Sequence, residues 1–120
     1  MRNISEAIRN QERAVQLTPA SLDNLGISYS HRFQCTLGDL DDISEAIRNQ
    51  QRAIRLTPDG HADLPAQLSN LRNSFLLRYE HTGNLDDVSE AIKNQERAVQ
   101  LTRWTRRVPR AILESHFRVA

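Results

Sequence analysis

Apolar residues recur along this chain at helical spacing rather than in strict alternation. Ile43, Ala46, Ile47, Ala53 and Ile54 fall at offsets of 0, 3, 4, 10 and 11, which places them on one face of an α-helix. Gln50 interrupts the stripe. Ile4, Ala7, Ile8, Ala14 and Val15 repeat the pattern, and so do Val88, Ala91, Ile92, Ala98 and Val99. The recurrence extends to the sequence itself: ISEAIRNQERAVQLTP at 4–19 returns as ISEAIRNQQRAIRLTP at 43–58 and as VSEAIKNQERAVQLT at 88–102, with start-to-start spacings of 39 and 45 residues. Asp42 with Glu45, Asp87 with Glu90, and Asn3 with Glu6 have the spacing of an N-cap and its reciprocal partner, which predicts helix starts there. Leu-Thr-Pro closes the first two copies, because a residue before proline is pushed out of the helical region.

Between the copies runs a second helical stripe. Leu22, Leu25, Gly26, Tyr29 and Phe33 form it once, and Leu68, Leu71, Phe75 and Tyr79 form it again. Gly38-Asp39 and Gly83-Asn84 supply the turn before the next copy. The pattern therefore predicts helices over about 3–17, 20–37, 41–56, 63–81 and 86–101, alternating between two types. One such pair cannot bury its own apolar face, whereas stacked neighbours can.

Leu22-x-x-Leu25-Gly26-x-x-Tyr29 resembles the first-helix signature of tetratricopeptide repeats, with Leu where that family has Trp. Ala46, Ala53 and Pro58 match the family's small second-helix positions and closing proline, and Leu68, Leu71, Phe75, Ala91 and Ala98 carry the likeness into the second unit. Arg72 stands where the family has Gly, Arg103 where it has Pro, and Gln50 and Gln95 where it usually has an aromatic residue. The spacing exceeds the family's common 34 residues and is similar to the long-helix variants of kinesin light chains and of fungal arrays that precede a CHAT protease-like domain. Pro58-Asp59-Gly60-His61-Ala62-Asp63 followed by Leu68-Ser69-Asn70-Leu71 strengthens that second likeness. The resemblance covers about residues 3–102. It implies an all-α fold, an α-α superhelix (solenoid) of antiparallel helix pairs, entered through an unpaired second helix. It also implies that first helices line a concave groove receiving a peptide. Carried over by position, the groove residues are Asp23, Asn24, Ile27, Ser30 and His31, then Ser69, Asn70, Asn73, Leu76 and Leu77. Asparagine suits such a groove because its amide both donates and accepts; equally, an Asn such as Asn70 can simply bridge two helices.

The third copy breaks off after Thr102, dividing the chain into repeats (1–102) and a divergent tail (103–120). In place of Pro-Asp-Gly-His-Ala stands Arg103-Trp104-Thr105-Arg106-Arg107. Tryptophan has the single codon TGG, and Arg-Trp-Thr written CGA-TGG-ACA reads Asp-Gly-His one nucleotide later. One expectation is thus an out-of-frame reading of the next repeat. The other is a basic cap helix whose Ile112, Leu113 and Phe117 cover the open end. Five Arg against one acid make residues 102–120 basic, while the remainder holds 11 basic and 14 acidic residues. That balance argues against nucleic acid as a partner, and the tail lacks a basic face with interleaved aromatics.

Composition changes little else. Hydrophobic content of 38% with 5% aromatics asks for a core of Ile, Leu, Val and Ala. Cys35 is the sole cysteine, so no intrachain disulfide forms, and a reducing, cytoplasmic setting is the default. No apolar run reaches membrane-span length, and Met1-Arg2-Asn3 does not open a signal peptide. His31 and Cys35 sit four apart but lack a second ligand pair for a metal. Asp41-Asp42 and Asp86-Asp87 fit helix-start roles better than acid-base catalysis. No phosphate loop, nucleophile elbow or zinc motif occurs. The expectation is a non-catalytic module without cofactor that binds a protein or peptide. Its alternatives are a scaffold or sensor segment within a larger effector protein of CHAT or NTPase type, among further repeats of a longer array, or a nonfunctional gene fragment.

Overall fold

The computed structural model describes residues 2–14, 18–36 and 38–107, with no side-chain placement for 2, 3, 14 and 104–107. Five helices follow in order: α1 Arg2–Ala14, α2 Pro19–Cys35, α3 Leu40–Leu56, α4 Leu64–Thr82 and α5 Leu85–Arg107. No strand occurs among the described residues. The repeat residues 15–17 and the tail residues 108–120, with Ile112, Leu113 and Phe117, lie outside them. The chain is all-α.

Helix ends follow local chemistry. Thr18 caps α2, its Oγ1 accepting from Ser21 N–H at 3.2 Å, with Pro19 at the first helical position, where no N–H is needed. Gly38 and Gly83 adopt φ of 91° and 73°, the left-handed conformation that glycine takes without a Cβ penalty, and Gly83 N–H closes α4 onto Tyr79 O at 2.7 Å. One expectation fails here. Asp42 and Asp87 are not caps, because α3 and α5 begin earlier, at Leu40 and Leu85. Asp39 caps α3, accepting from Asp41 N–H at 3.0 Å, and Asn84 does the same for Asp86 N–H at 3.0 Å. Asn3 likewise lies inside α1 rather than before it.

Asp42 and Asp87 serve between helices instead. Both are buried, and each accepts a forked pair of bonds from an arginine on the preceding helix. Arg32 donates through Nε and Nη2 to Asp42 at 2.9 and 2.7 Å. Arg78 donates to Asp87 with its shortest bond at 2.8 Å. The same arginines lie over Tyr29 and Phe75, at 5.4 and 5.6 Å from the ring centroids. Asp42 raises the pKa of Arg32 by accepting its hydrogen bonds, so that guanidinium stays charged at every physiological pH.

Partner positions fix helix direction. In α2–α3, Arg32 meets Asp42 while Gly26 faces Gln50. In α3–α4, Gln50 meets Ser74 while Thr57 meets Gln67. In α4–α5, Arg78 meets Asp87 while Arg72 meets Gln95. Contacts that run backward in one helix as they run forward in the next make each of these neighbours antiparallel. The pairs α2–α3 and α4–α5 pack most extensively, α3 joins the pairs by packing on α4, and α1 packs on α2. Overall dimensions are 46 × 34 × 17 Å; the thinnest corresponds to two helix layers at the usual separation of about 8–10 Å.

The repeated motif shows how each helix divides its faces. Ala46 and Ile47 in α3 are both buried, at 0% and 4% exposure. In α1 the equivalent Ala7 is exposed while Ile8 is buried, and α2 is the helix packed on α1. In α5 the order reverses: Ala91 is buried and Ile92 is 52% exposed. The alanine edge thus serves the preceding helix and the isoleucine edge the following one. Small residues on the first edge permit close approach within a pair, and branched residues on the second supply more apolar surface toward the following helix.

Candidate functional site

Two first-type helices, α2 and α4, touch each other only lightly. Both lean on α3, and an open cleft of about 370 Å³ remains between them. Seven of the ten groove residues expected from the sequence line it: Ile27, Ser30 and His31 from α2, with Asn70, Asn73, Leu76 and Leu77 from α4. Gln34 and Glu80 complete its walls, and Gln50 and Ser74 form its floor.

The floor is polar and ordered. Ser74 Oγ donates to Gln50 Oε1 at 2.6 Å. A hydroxyl has one hydrogen, so in the 3.0 Å contact between Ser30 and Ser74 the donor is Ser30. The result is a directed chain, Ser30 to Ser74 to Gln50, crossing α2, α4 and α3. Gly26 makes room for it: a Cβ there would lie 2.6 Å from Gln50 Cγ and 3.1 Å from Ala46 O. The equivalent of Gly26 in α4 is Arg72, whose guanidinium donates to Gln95 across the space that Gly26 leaves to Gln50. Between α1 and α2 the same residue types recur, Gln11 for Gln50 and Ser28 for Ser74. There the bond is not made, because Gln11 Oε1 is buried without a hydrogen-bond partner.

The other three expected residues lie apart from the cleft. Asp23 Oδ2 accepts from Asn70 Nδ2 at 3.3 Å, so Asn70 bridges the helices as well as lining the cleft. Burial raises the pKa of Asp23, opposed by that hydrogen bond and assisted by nearby Asp63, and its Oδ1 is buried without a partner. Asn24 is exposed. Ser69, the repeat equivalent of Asp23, belongs to a second cleft of about 420 Å³ with Pro65, Ala66, Gln95, Ala98, Val99, Thr102 and Arg103.

Sequence reasoning missed Gln34, Gln50, Ser74 and Glu80. Gln34, Ser74 and Glu80 each stand three or four residues from an expected lining residue, at the spacing that shares a helix face, and that spacing is the available signal; Gln50 comes from a different helix, α3. No Lys or Arg lines the first cleft, and its ionisable lining residues, His31 and Glu80, are both exposed. Donors and acceptors are therefore provided mainly by neutral amides and hydroxyls, with Ile27, Leu76 and Leu77 supplying apolar surface.

Among the described residues, no three His, Cys, Asp or Glu cluster as a metal site, and no helix is long and apolar enough to cross a membrane. Cys35 is exposed. No family model matches the chain, nor does any curated protein or solved structure.

Proposed function

We propose that the chain is a tetratricopeptide-type array, with pairs stacked as a solenoid, acting as a non-catalytic protein-interaction module. In this reading the cleft between α2 and α4 takes a peptide segment. The observation that supports it most is the convergence of two asparagine amides, two serine hydroxyls and three aliphatic side chains on one cleft with an internally bonded floor. A peptide main chain needs both donors and acceptors, which Asn70 and Asn73 provide, and its apolar side chains find Ile27, Leu76 and Leu77. The lack of lining cations disfavours acidic C-termini as ligands. A cytoplasmic setting without cofactor completes the proposal.

Selection from a displayed peptide library on the full chain tests it. Selected peptides lose about tenfold or more in affinity on Leu77→Asp and on Asn73→Ala. Binding indifferent to both substitutions contradicts the assignment. A second reading, a scaffold segment within a longer effector protein, draws on the half-exposed Ile92, a residue whose equivalents are buried by a following helix.

A further inference from the structure

We propose that the outer face of α5 is a docking site for an amphipathic helix bearing the pattern of α4, Leu-x3-Leu-x2-Leu-x3-Phe, as at Leu64, Leu68, Leu71 and Phe75. The protein contains its own precedent. Ile47, Gln50 and Ile54 of α3 are buried, and α4 is the following helix that packs on α3. In α4 itself Leu64 and Leu68 are fully buried and Leu71 and Phe75 nearly so. α5 presents the same motif as Ile92, Gln95 and Val99, and Ile92 is 52% exposed. The second cleft sits at this edge, with Gln95 and Val99 of that motif in its lining. A surface of the same pattern left open calls for an occupant of the same chemistry, because removing an isoleucine side chain from water is favourable.

Codon degeneracy points to the same occupant. Read one nucleotide later from Thr102, the coding possibilities for residues 102–116 permit Pro-Asp-Gly-His-Ala-Glu-x-Pro-Ala-Gln-x-Ser-Asn-Leu. Pro58 to Leu71 reads Pro-Asp-Gly-His-Ala-Asp-Leu-Pro-Ala-Gln-Leu-Ser-Asn-Leu. Phe is permitted at both open positions, so the apolar pattern survives. A helix of α4 type is thus compatible with the shifted frame directly after α5, where the structure leaves a face for it.

A fluorescent peptide of residues 58–82, titrated into the full chain and followed by anisotropy, tests the site. Saturable binding that falls at least about tenfold on Ile92→Asp supports the proposal; this substitution is at a half-exposed position, and circular dichroism verifies that the fold survives it. Four outcomes overturn it: no binding to the wild-type chain; equal binding to Ile92→Asp, which indicates exchange with the chain's own α4; loss on Leu77→Asp alone, which indicates capture in the α2–α4 cleft; and a wild-type dimer in sedimentation that Ile92→Asp converts to monomer, which makes a second copy the occupant. The peptide-binding role of the first cleft stands or falls separately, on Leu77 and Asn73.

Discussion

Ile47 in α3 and Ile92 in α5 occupy the same position of one repeated motif, yet the first is 4% exposed and the second 52%. The sequences around them are nearly interchangeable, so the difference comes from the neighbours packed beside each helix. α3 has α2 before it and α4 after it; among the described residues α5 packs extensively on α4 alone. The two helices also end differently. α3 stops at Leu56, before Thr57-Pro58, and Thr57 Oγ1 lies 2.8 Å from Gln67 Oε1 of α4. α5 continues to Arg107, because Arg103 retains the backbone N–H that Pro58 lacks. A motif of this kind therefore states which neighbours a helix can take, and position in the array decides which of them it has.

The largest expected effect exploits that contrast directly. Ile47→Ala should cost about 2–4 kcal/mol of unfolding free energy, whereas Ile92→Ala should change it by less than about 0.5 kcal/mol; urea denaturation of the two variants measures both. Equal losses would break the comparison. Next come the forked ion pairs that recur in both units. Asp42→Ala and Asp87→Ala should each cost about 1.5–3 kcal/mol, the range for hydrogen bonds to charged groups, and similar values would show that the two pairs are built alike. Smaller still is Gly26→Ala. Its Cβ would crowd Gln50 and the carbonyl of Ala46, outweighing the gain in helix propensity and leaving a net loss of about 1–2 kcal/mol. The equivalent exchange in α4, Arg72→Ala, should cost less than about 1 kcal/mol in the same assay.

The smallest effect is a pH dependence. Burial raises the pKa of Asp23 in the folded chain, so between its unfolded and folded values the native state holds the proton more tightly. Stability from this group is therefore present at lower pH and declines as pH rises through its folded pKa. Asp23→Asn should flatten that decline in denaturation curves recorded across the mildly acidic range, and an unchanged slope would remove Asp23 as its source.

Much of the fold could be read from self-similarity: three copies of one stripe and two of another gave five helices whose starts fall within about one residue of those observed, whereas α5 runs on to Arg107, past its expected end near 101. The roles of Asp42 and Asp87 could not. An aspartate three residues before a glutamate has the spacing of a cap, while its actual partners, Arg32 and Arg78, lie on other helices and meet it only after packing. Much the same limit governs the cleft. Expected residues such as Ile27, Ser30 and Asn73 converge because their spacing follows one helix face. Ser69 does not, since it lies one step around α4 from Asn70, toward α5. Gln50 looked like a break in an apolar stripe; its hydrogen bond to Ser74, and the space Gly26 leaves for it, depend on three helices meeting.

Thiol labelling tests the central comparison most directly. In a Cys35→Ser background, Ile47→Cys and Ile92→Cys place one reactive group at the same motif position in α3 and in α5. The account predicts that the thiol of Ile92→Cys is modified in the native chain at nearly the rate of the unfolded chain, while that of Ile47→Cys is protected until the protein unfolds. Protection at both positions in a monomer would mean that α5 is already covered, and would contradict the account.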